Sequence, residues 1–259
     1  MRLTIENKSK QEVFVAIFQL LKNWSSHINM HFEKDRLFIQ SMDKSHVCLA
    51  NIEIKSKWFS EYDCINNNKI CVDSNHFAIL MNYALKHDNI ELKFEDEVEP
   101  EKLYVNFLNG KEKKGAFDHF FELNLIEIEE DSLGIPDVEY DVDFVIESKK
   151  LTELLSELNT FGQDLNIICN EEKVELNASG DSTKIKVNIP IDDLNEYAIA
   201  EGEELNISFS LSHLCKMCCS MKLGETIDVS LSGEYPMSLK YNLGDDSKVV
   251  FFIAPKVIN

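Results

Sequence analysis

Long apolar runs are missing from this sequence. None exceeds the six residues of Val13–Phe18, far below the ~20 needed to cross a bilayer as a helix. The opening stretch MRLTIENKSK lacks the apolar core of a secretory leader, so an intracellular setting is expected. Disulfide material is also poor, because the seven cysteines are odd in number and scattered, unlike the paired spacings of a stapled secreted domain. Cys215, Cys218 and Cys219 crowd together, yet no second Cys/His pair stands at zinc-finger spacing, and their stretch is apolar. Free thiols there serve as small hydrophobes, and neither a metal nor a cofactor is expected. GxxxxGKS/T, GxGxxG, HExxH and GxSxG are absent, and no histidine stands near a cysteine or serine at a spacing that suggests a nucleophile. An uncharacterised enzyme or metal-binding protein is therefore only a remote alternative. The acidic cluster from Glu127 to Asp131 lacks the glycine and ligand spacing of an EF-hand and reads as solvated charge.

Positive charge is scarce as well: 26 Lys and Arg face 46 Asp and Glu, a net charge of −20. Taken alone, that balance argues against a nucleic-acid partner, since phosphate contact needs basic groups. What is present is globular, with 44% hydrophobic and 28% charged residues. The 259 residues suit one large domain or two smaller ones.

An internal repeat decides between these. Shifted by 137 positions, Phe14, Ile17, Phe18, Leu21 and Trp24 fall on Leu151, Leu154, Leu155, Leu158 and Phe161. Both sets keep the i, i+3, i+4, i+7 spacing of one helix face. The same offset carries Phe77 and Leu80 onto Leu214 and Met217, and Ile90 and Leu92 onto Ile227 and Val229. Each half reads as helix, strands, second helix and more strands, with period-2 alternation in Ile52–Lys55 and Lys184–Asn188. The fold class expected is α+β with two similar domains, residues 1–122 and 142–259, joined by a connector over 123–141. The stretch from Glu122 to Asp141 holds eight acids and no Lys or Arg, and Gly134 and Pro136 argue for an irregular path there.

Several motifs, in order along the whole chain, resemble the sliding-clamp family of the proliferating cell nuclear antigen type. They are the loop Gln40-Ser41-Met42-Asp43-Lys44-Ser45-His46-Val47, the connector Leu133-Gly134-Ile135-Pro136 with Glu139-Tyr140, the turn Ala178-Ser179-Gly180, and the tail Ala254-Pro255-Lys256 after Phe251-Phe252. The resemblance implies a homotrimeric ring of six DNA-clamp domains, helices lining the inner face and antiparallel sheets outside. It implies a non-enzymatic processivity factor that encircles double-stranded DNA, is opened by a clamp loader, and docks DNA polymerase and other replication and repair proteins through a short interacting peptide. The setting implied is the nucleus, or the replication site of a large DNA virus in its host cell. A subunit of a heterotrimeric checkpoint-type clamp is the nearer alternative.

The resemblance also assigns residues. The partner-peptide pocket falls on Met42, His46, Val47, Leu49, Leu133, Ile135, Pro136, Tyr140, Pro236, Met237, Phe252, Ala254, Pro255 and Val257, a lining fit for a one-turn amphipathic helix with aromatic anchors; Met42, Leu133 and Ile135 read equally as core. Subunit contacts fall on Phe120 and Phe121 against Ile185 and Val187, and on Tyr83 against Leu154 or Leu158, again with core as the other reading. The DNA-facing set is Lys8, Lys10, Lys22, Lys86, Lys149, Lys150, His213, Lys216 and Lys222. Relatives carry a modifiable lysine where Glu171 stands, with Lys173 the nearest substitute.

Charge placement tests the DNA-facing set. Helices taken as 11–24, 74–87, 148–160 and 211–223 hold six lysines and three acids, leaving 20 basic and 43 acidic residues elsewhere. That asymmetry suits a mildly positive lumen inside an acidic wall. Glu153 stands where relatives have an arginine, so the lining is thin.

Overall fold

The structure is a computed structural model, described here for all residues except 96–100, 111–114, 129–131, 216–219 and 257–259. Chain contacts divide it into two compact units, residues 1–42, 51–133 and 243–248, and residues 43–50, 134–242 and 249–259. The division does not follow the chain strictly, because 43–50 belong to the second unit and 243–248 to the first.

In the first unit, β1 (Arg2–Ile5) leads to α1 (Lys8–Leu21), then β2 (His27–Phe32), β3 (Arg36–Met42) and β4 (Cys48–Lys55, which enters this unit at Asn51). A 3-10 turn (Ser56–Trp58), β5 (Glu61–Asp63), β6 (Asn68–Asp73), α2 (Ser74–Ala84), β7 (Asn89–Phe94), β8 (Lys102–Leu108) and β9 (His119–Asn124) follow. Two antiparallel sheets form, ordered β5-β1-β7-β8-β9 and β4-β3-β2-β6. Asn7 caps α1 by accepting from the Lys10 amide, and Asp73 caps α2 by accepting from His76, each satisfying a donor the first helical turn leaves unpaired. The apolar face of α1 buries Phe14, Ile17, Phe18 and Leu21. Phe18 meets Phe14 and Phe77 of α2 edge-on, at 4.9 and 4.6 Å between ring centroids, a favoured arrangement for aromatic quadrupoles.

The second unit repeats the plan. It runs β10 (Val142–Glu147), α3 (Ser148–Phe161), β11 (Asp164–Cys169), β12 (Lys173–Ser179), β13 (Lys184–Pro190), β14 (Glu196–Ile199), β15 (Leu205–Ser210), α4 (Leu211–His213), β16 (Thr226–Leu231), β17 (Met237–Gly244) and β18 (Ser247–Ile253). Its sheets are ordered β14-β10-β16-β17-β18 and β13-β12-β11-β15. The 137-residue offset carries the bounds of β2, β3, β6 and β7 onto those of β11, β12, β15 and β16. Register repeats too, since Met30 opposite Ile39 becomes Ile167 opposite Leu176. The two-domain α+β expectation holds at the level of individual residue pairs.

The fourth helix is corrected at its far end. It was expected over 211–223; Leu211–His213 are α-helical, Leu214 and Cys215 continue as a wider π turn, 216–219 lie outside the described residues, and 221–223 form a turn. The Ser220 amide donates to the Tyr241 hydroxyl at 3.0 Å and Leu223 is buried, so 220–223 are held in non-helical backbone although the apolar period continues. Among the described residues no helix is long and apolar enough to cross a membrane.

Candidate partner-docking and DNA-facing surfaces

The loop between β3 and β4 is organised around one buried carboxylate. Asp43 is 3% exposed, and its Oδ1 accepts from the amides of Val47 (2.8 Å) and Cys48 (2.6 Å) while Oδ2 accepts from the Ser45 amide (3.0 Å) and the Ser45 hydroxyl. Burial alone would raise its pKa, but the Ser45 hydroxyl and the three amides outweigh burial and hold the carboxyl below the ordinary range. The backbone closes the loop with Asp43 N to Cys48 O at 2.9 Å and His46 N to Asp43 O at 3.0 Å. The tight path puts His46 at φ 57°, left-handed space that L side chains enter at a cost. His46 is exposed and Val47 half-buried.

The chain's tail runs along this loop. Ala254 N donates to Val47 O at 2.9 Å, Lys256 N to Ser208 O at 2.7 Å, and the Lys256 ammonium reaches Asp164 at 2.5 Å. Ala254 and Pro255 are half-exposed. Strand order places Leu49 of β4, Phe252 of β18 and the start of β17 side by side, and alternation puts Leu49 and Phe252 on the partly exposed face. Met237 faces the other way. It is 2% exposed and borders a ~20 Å³ void with Phe144, Leu151 and Leu214, so here it is core. Burial raises the Tyr140 pKa, with Asp143 adding to it and Ser238 opposing. Pro136 and Pro236 are exposed, and Leu133 and Ile135 are 52% and 37% exposed. Those exposures remove the core reading of Leu133 and Ile135. Met42 is half-buried, and Val257 lies outside the described residues.

The sequence reading missed one residue that holds the connector within the first unit. Gln40 of β3 engages both polar groups of Leu133: Leu133 N donates to Oε1 at 2.6 Å and Nε2 donates to Leu133 O at 3.1 Å. Gln40 carried a signal, since it opens the loop motif.

The DNA-facing candidates divide by how their charge is used. Lys22, Lys86 and Lys222 are exposed, with Lys86 Nζ 5.6 Å from the centre of the Tyr83 ring. On α3, Lys149 lies 4.0 Å from Glu153 and Lys150 3.2 Å from Glu147, exposed pairs worth little in energy that still cancel much of each other's far field. Lys8 donates to the Leu85 and His87 carbonyls that end α2, and Lys10 donates to Trp58 O at 2.7 Å and pairs with Asp245 at 2.8 Å. Both ammonium groups are therefore engaged within the first unit. His213 contacts Ser45 and Ser210; Lys216 lies outside the described residues.

The subunit candidates sit on two sheet edges. Strand β9 ends one sheet of the first unit and β13 ends one sheet of the second. Phe120 on β9 is 69% exposed and Phe117 just before it 77%. Phe121, Ile185 and Val187 are half-buried. Tyr83 is exposed and Leu154 half-buried, but Leu158 is fully buried in the core of the second unit, so of those two leucines only Leu154 presents surface. Of the three crowded cysteines, Cys215 donates to Leu155 O at 3.3 Å, while Cys218 and Cys219 lie outside the described residues. Among the described residues no group of three or more His, Cys, Asp or Glu could hold a metal ion. Glu171 accepts from Gly202 N at 2.9 Å, and Lys173 pairs with Glu175 at 2.9 Å.

Comparison with known proteins covers nearly the whole chain. Residues 5–132 match the family model for the N-terminal domain of proliferating cell nuclear antigen, and residues 134–256 match the model for its C-terminal domain. Among similar proteins are a proliferating cell nuclear antigen of Chaetomium thermophilum, 26% identical over 95% of both chains, and proliferating cell nuclear antigen 2 of Plasmodium falciparum, 26% identical over 95% of this chain and 96% of its own. A probable DNA polymerase sliding clamp of Autographa californica nuclear polyhedrosis virus is 23% identical over 95% of this chain and 94% of its own.

Proposed function

Since the chain belongs to the proliferating cell nuclear antigen family of sliding clamps, we propose that it assembles as a homotrimer around duplex DNA. It serves there as a non-enzymatic processivity factor, loaded by a clamp loader and docking DNA polymerase and other partners through a short peptide. The observation that carries the ring is the pair of exposed edges. Strands β9 and β13 each present an unpaired row of backbone groups beside large apolar side chains, a hazard proteins ordinarily cover. Head-to-tail pairing of β9 with the β13 of a second copy satisfies both, and such a heterologous contact closes into a three-membered ring when each step turns by a third of a circle.

The grip on DNA in this reading is topological. Lys22, Lys86 and Lys222 supply most of the uncancelled charge, too little for tight phosphate binding, and weak contact leaves a clamp free to slide. The docking site is assigned within the second unit, to the Asp43–Cys48 loop, the tail at Ala254–Pro255 and the connector residues Ile135 and Pro136, and it receives a peptide of the form QxxLxxFF at about micromolar affinity, roughly −8 kcal/mol. The place of work is the nucleus, or the replication site of a large DNA virus in its host cell.

Two measurements test this. Light scattering is expected to give about three times the 29.8 kDa chain mass; a monomer at micromolar concentration, or a complex completed only by a different chain, refutes the homotrimer. Loader-dependent retention on nicked circular DNA is expected to vanish when the circle is cut, and retention indifferent to the cut refutes encirclement.

A further inference from the structure

His213 was expected to face DNA, but its ring is spent on the docking loop. Its Nε2 lies 3.1 Å from Ser45 Oγ and 3.8 Å from Asp43 Oδ2, and its Nδ1 lies 2.9 Å from Ser210 Oγ. The Ser45 hydroxyl proton is committed to Asp43, so toward His213 the Ser45 oxygen accepts and Nε2 carries the hydrogen. Nδ1 pairs with the Ser210 hydroxyl on the other side of the ring. A relay results, running from Ser210 at the end of β15 through His213 and Ser45 to Asp43.

This relay bears on the shape of the loop. Asp43 draws in the amides of Ser45, Val47 and Cys48, and Val47 O in turn takes the Ala254 amide. An anchor on Ser45 therefore helps set where His46, Val47 and the tail stand. We propose that His213 is a positioning residue for partner docking, holding the Asp43–Cys48 loop in its binding shape through Ser45, and is not a DNA contact. The proposal rests on the docking reading above and adds to it a residue that touches no partner.

Two substitutions separate this role from mere packing. Glutamine at 213 places its amide nitrogen where Nε2 stands and keeps the donor to Ser45; asparagine reaches only the Nδ1 position and loses it. His213→Ala and His213→Asn are expected to speed hydrogen exchange at the Ser45, Val47 and Cys48 amides by about fivefold and to weaken a QxxLxxFF peptide by a similar factor, while His213→Gln stays within about twofold of the parent. Unchanged loop exchange in His213→Ala, or Asn and Gln variants that behave alike, overturns the proposal. Normal exchange and peptide affinity together with lost retention on circular DNA overturns it also and makes His213 a DNA contact. Because exchange is read without peptide, the expected exchange pattern in a protein that binds no peptide upholds the positioning of the loop and refutes the docking reading alone.

Discussion

Gln40 illustrates how a connector depends on a side chain distant in sequence. A primary amide offers a carbonyl acceptor and two N–H donors on one plane, and Gln40 uses the acceptor on the Leu133 amide and its donors on the Leu133 carbonyl and Asn51 Oδ1. The connector is thereby held as if by one further rung of a sheet. Gln40→Ala is expected to weaken the docking peptide by about five- to tenfold, roughly 1–1.4 kcal/mol. Gln40→Glu should weaken it further, since a carboxylate accepts from Leu133 N but repels Leu133 O. Calorimetric titration checks this, with Ile135→Asp, which puts a charge on an apolar anchor, as the variant expected to abolish binding. Affinity unchanged across the Gln40 pair would mean that the connector keeps its place without that side chain. Gln40 was visible within a motif, but its partner lies 93 residues away, a proximity no local pattern encodes. Met237 shows the reverse: the resemblance placed it in the docking pocket, and its position in β17, 2% exposed, puts it in the core.

Among the elements, helix starts were written locally. Asn7 and Asp73 accept from the amides of Lys10 and His76, and removing such a cap costs about 1 kcal/mol. Asn7→Ala is expected to lower stability by about that amount in denaturant unfolding without altering oligomeric mass. Strand β13 is fastened by charge. Glu175 of β12 accepts from Lys186 of β13 at 2.8 Å, from Lys173 at 2.9 Å and from Asn177 at 3.0 Å. Those bonds, the Lys186 one foremost, pull its pKa from 4.5 down to about 2. A carboxyl depressed in the folded state contributes stability above its unfolded pKa and loses it as pH falls through the folded value. Glu175→Gln should therefore be less stable than the parent at pH 6, with the difference shrinking between pH 4.5 and about 2. A difference constant over that range in pH-dependent unfolding would show that the Lys186 contact is not made in solution. Strand and helix identities followed from periodicity, whereas the non-helical turn at 221–223 did not, because the Tyr241 hydroxyl that holds Ser220 beside it comes from β17.

For the whole molecule, what matters is the pair of edges. Phe120 points away from the buried face of its sheet and is 69% exposed, so Phe120→Asp should leave the fold intact. The charge it adds at a strand-pairing surface disfavours association, and the trimer–monomer midpoint is expected to rise at least tenfold, read by light scattering across a dilution series. A trimer as stable as the parent would place the subunit contact elsewhere. Within each unit, ion pairs on α3 and the internal engagement of Lys8 and Lys10 reduce the positive charge the sequence reading assigned to the DNA-facing set.

The sequence by itself determined the repeat, the alternating strands within it and the family, because hydrophobic period and short motifs are local and survive divergence. Which lysines keep their charge for a partner, which of Leu154 and Leu158 reaches the surface, and that His213 serves a loop 168 residues earlier were decided only by the tertiary structure. Each depends on what side chain arrives opposite, and that is set by the packing of elements distant in the chain.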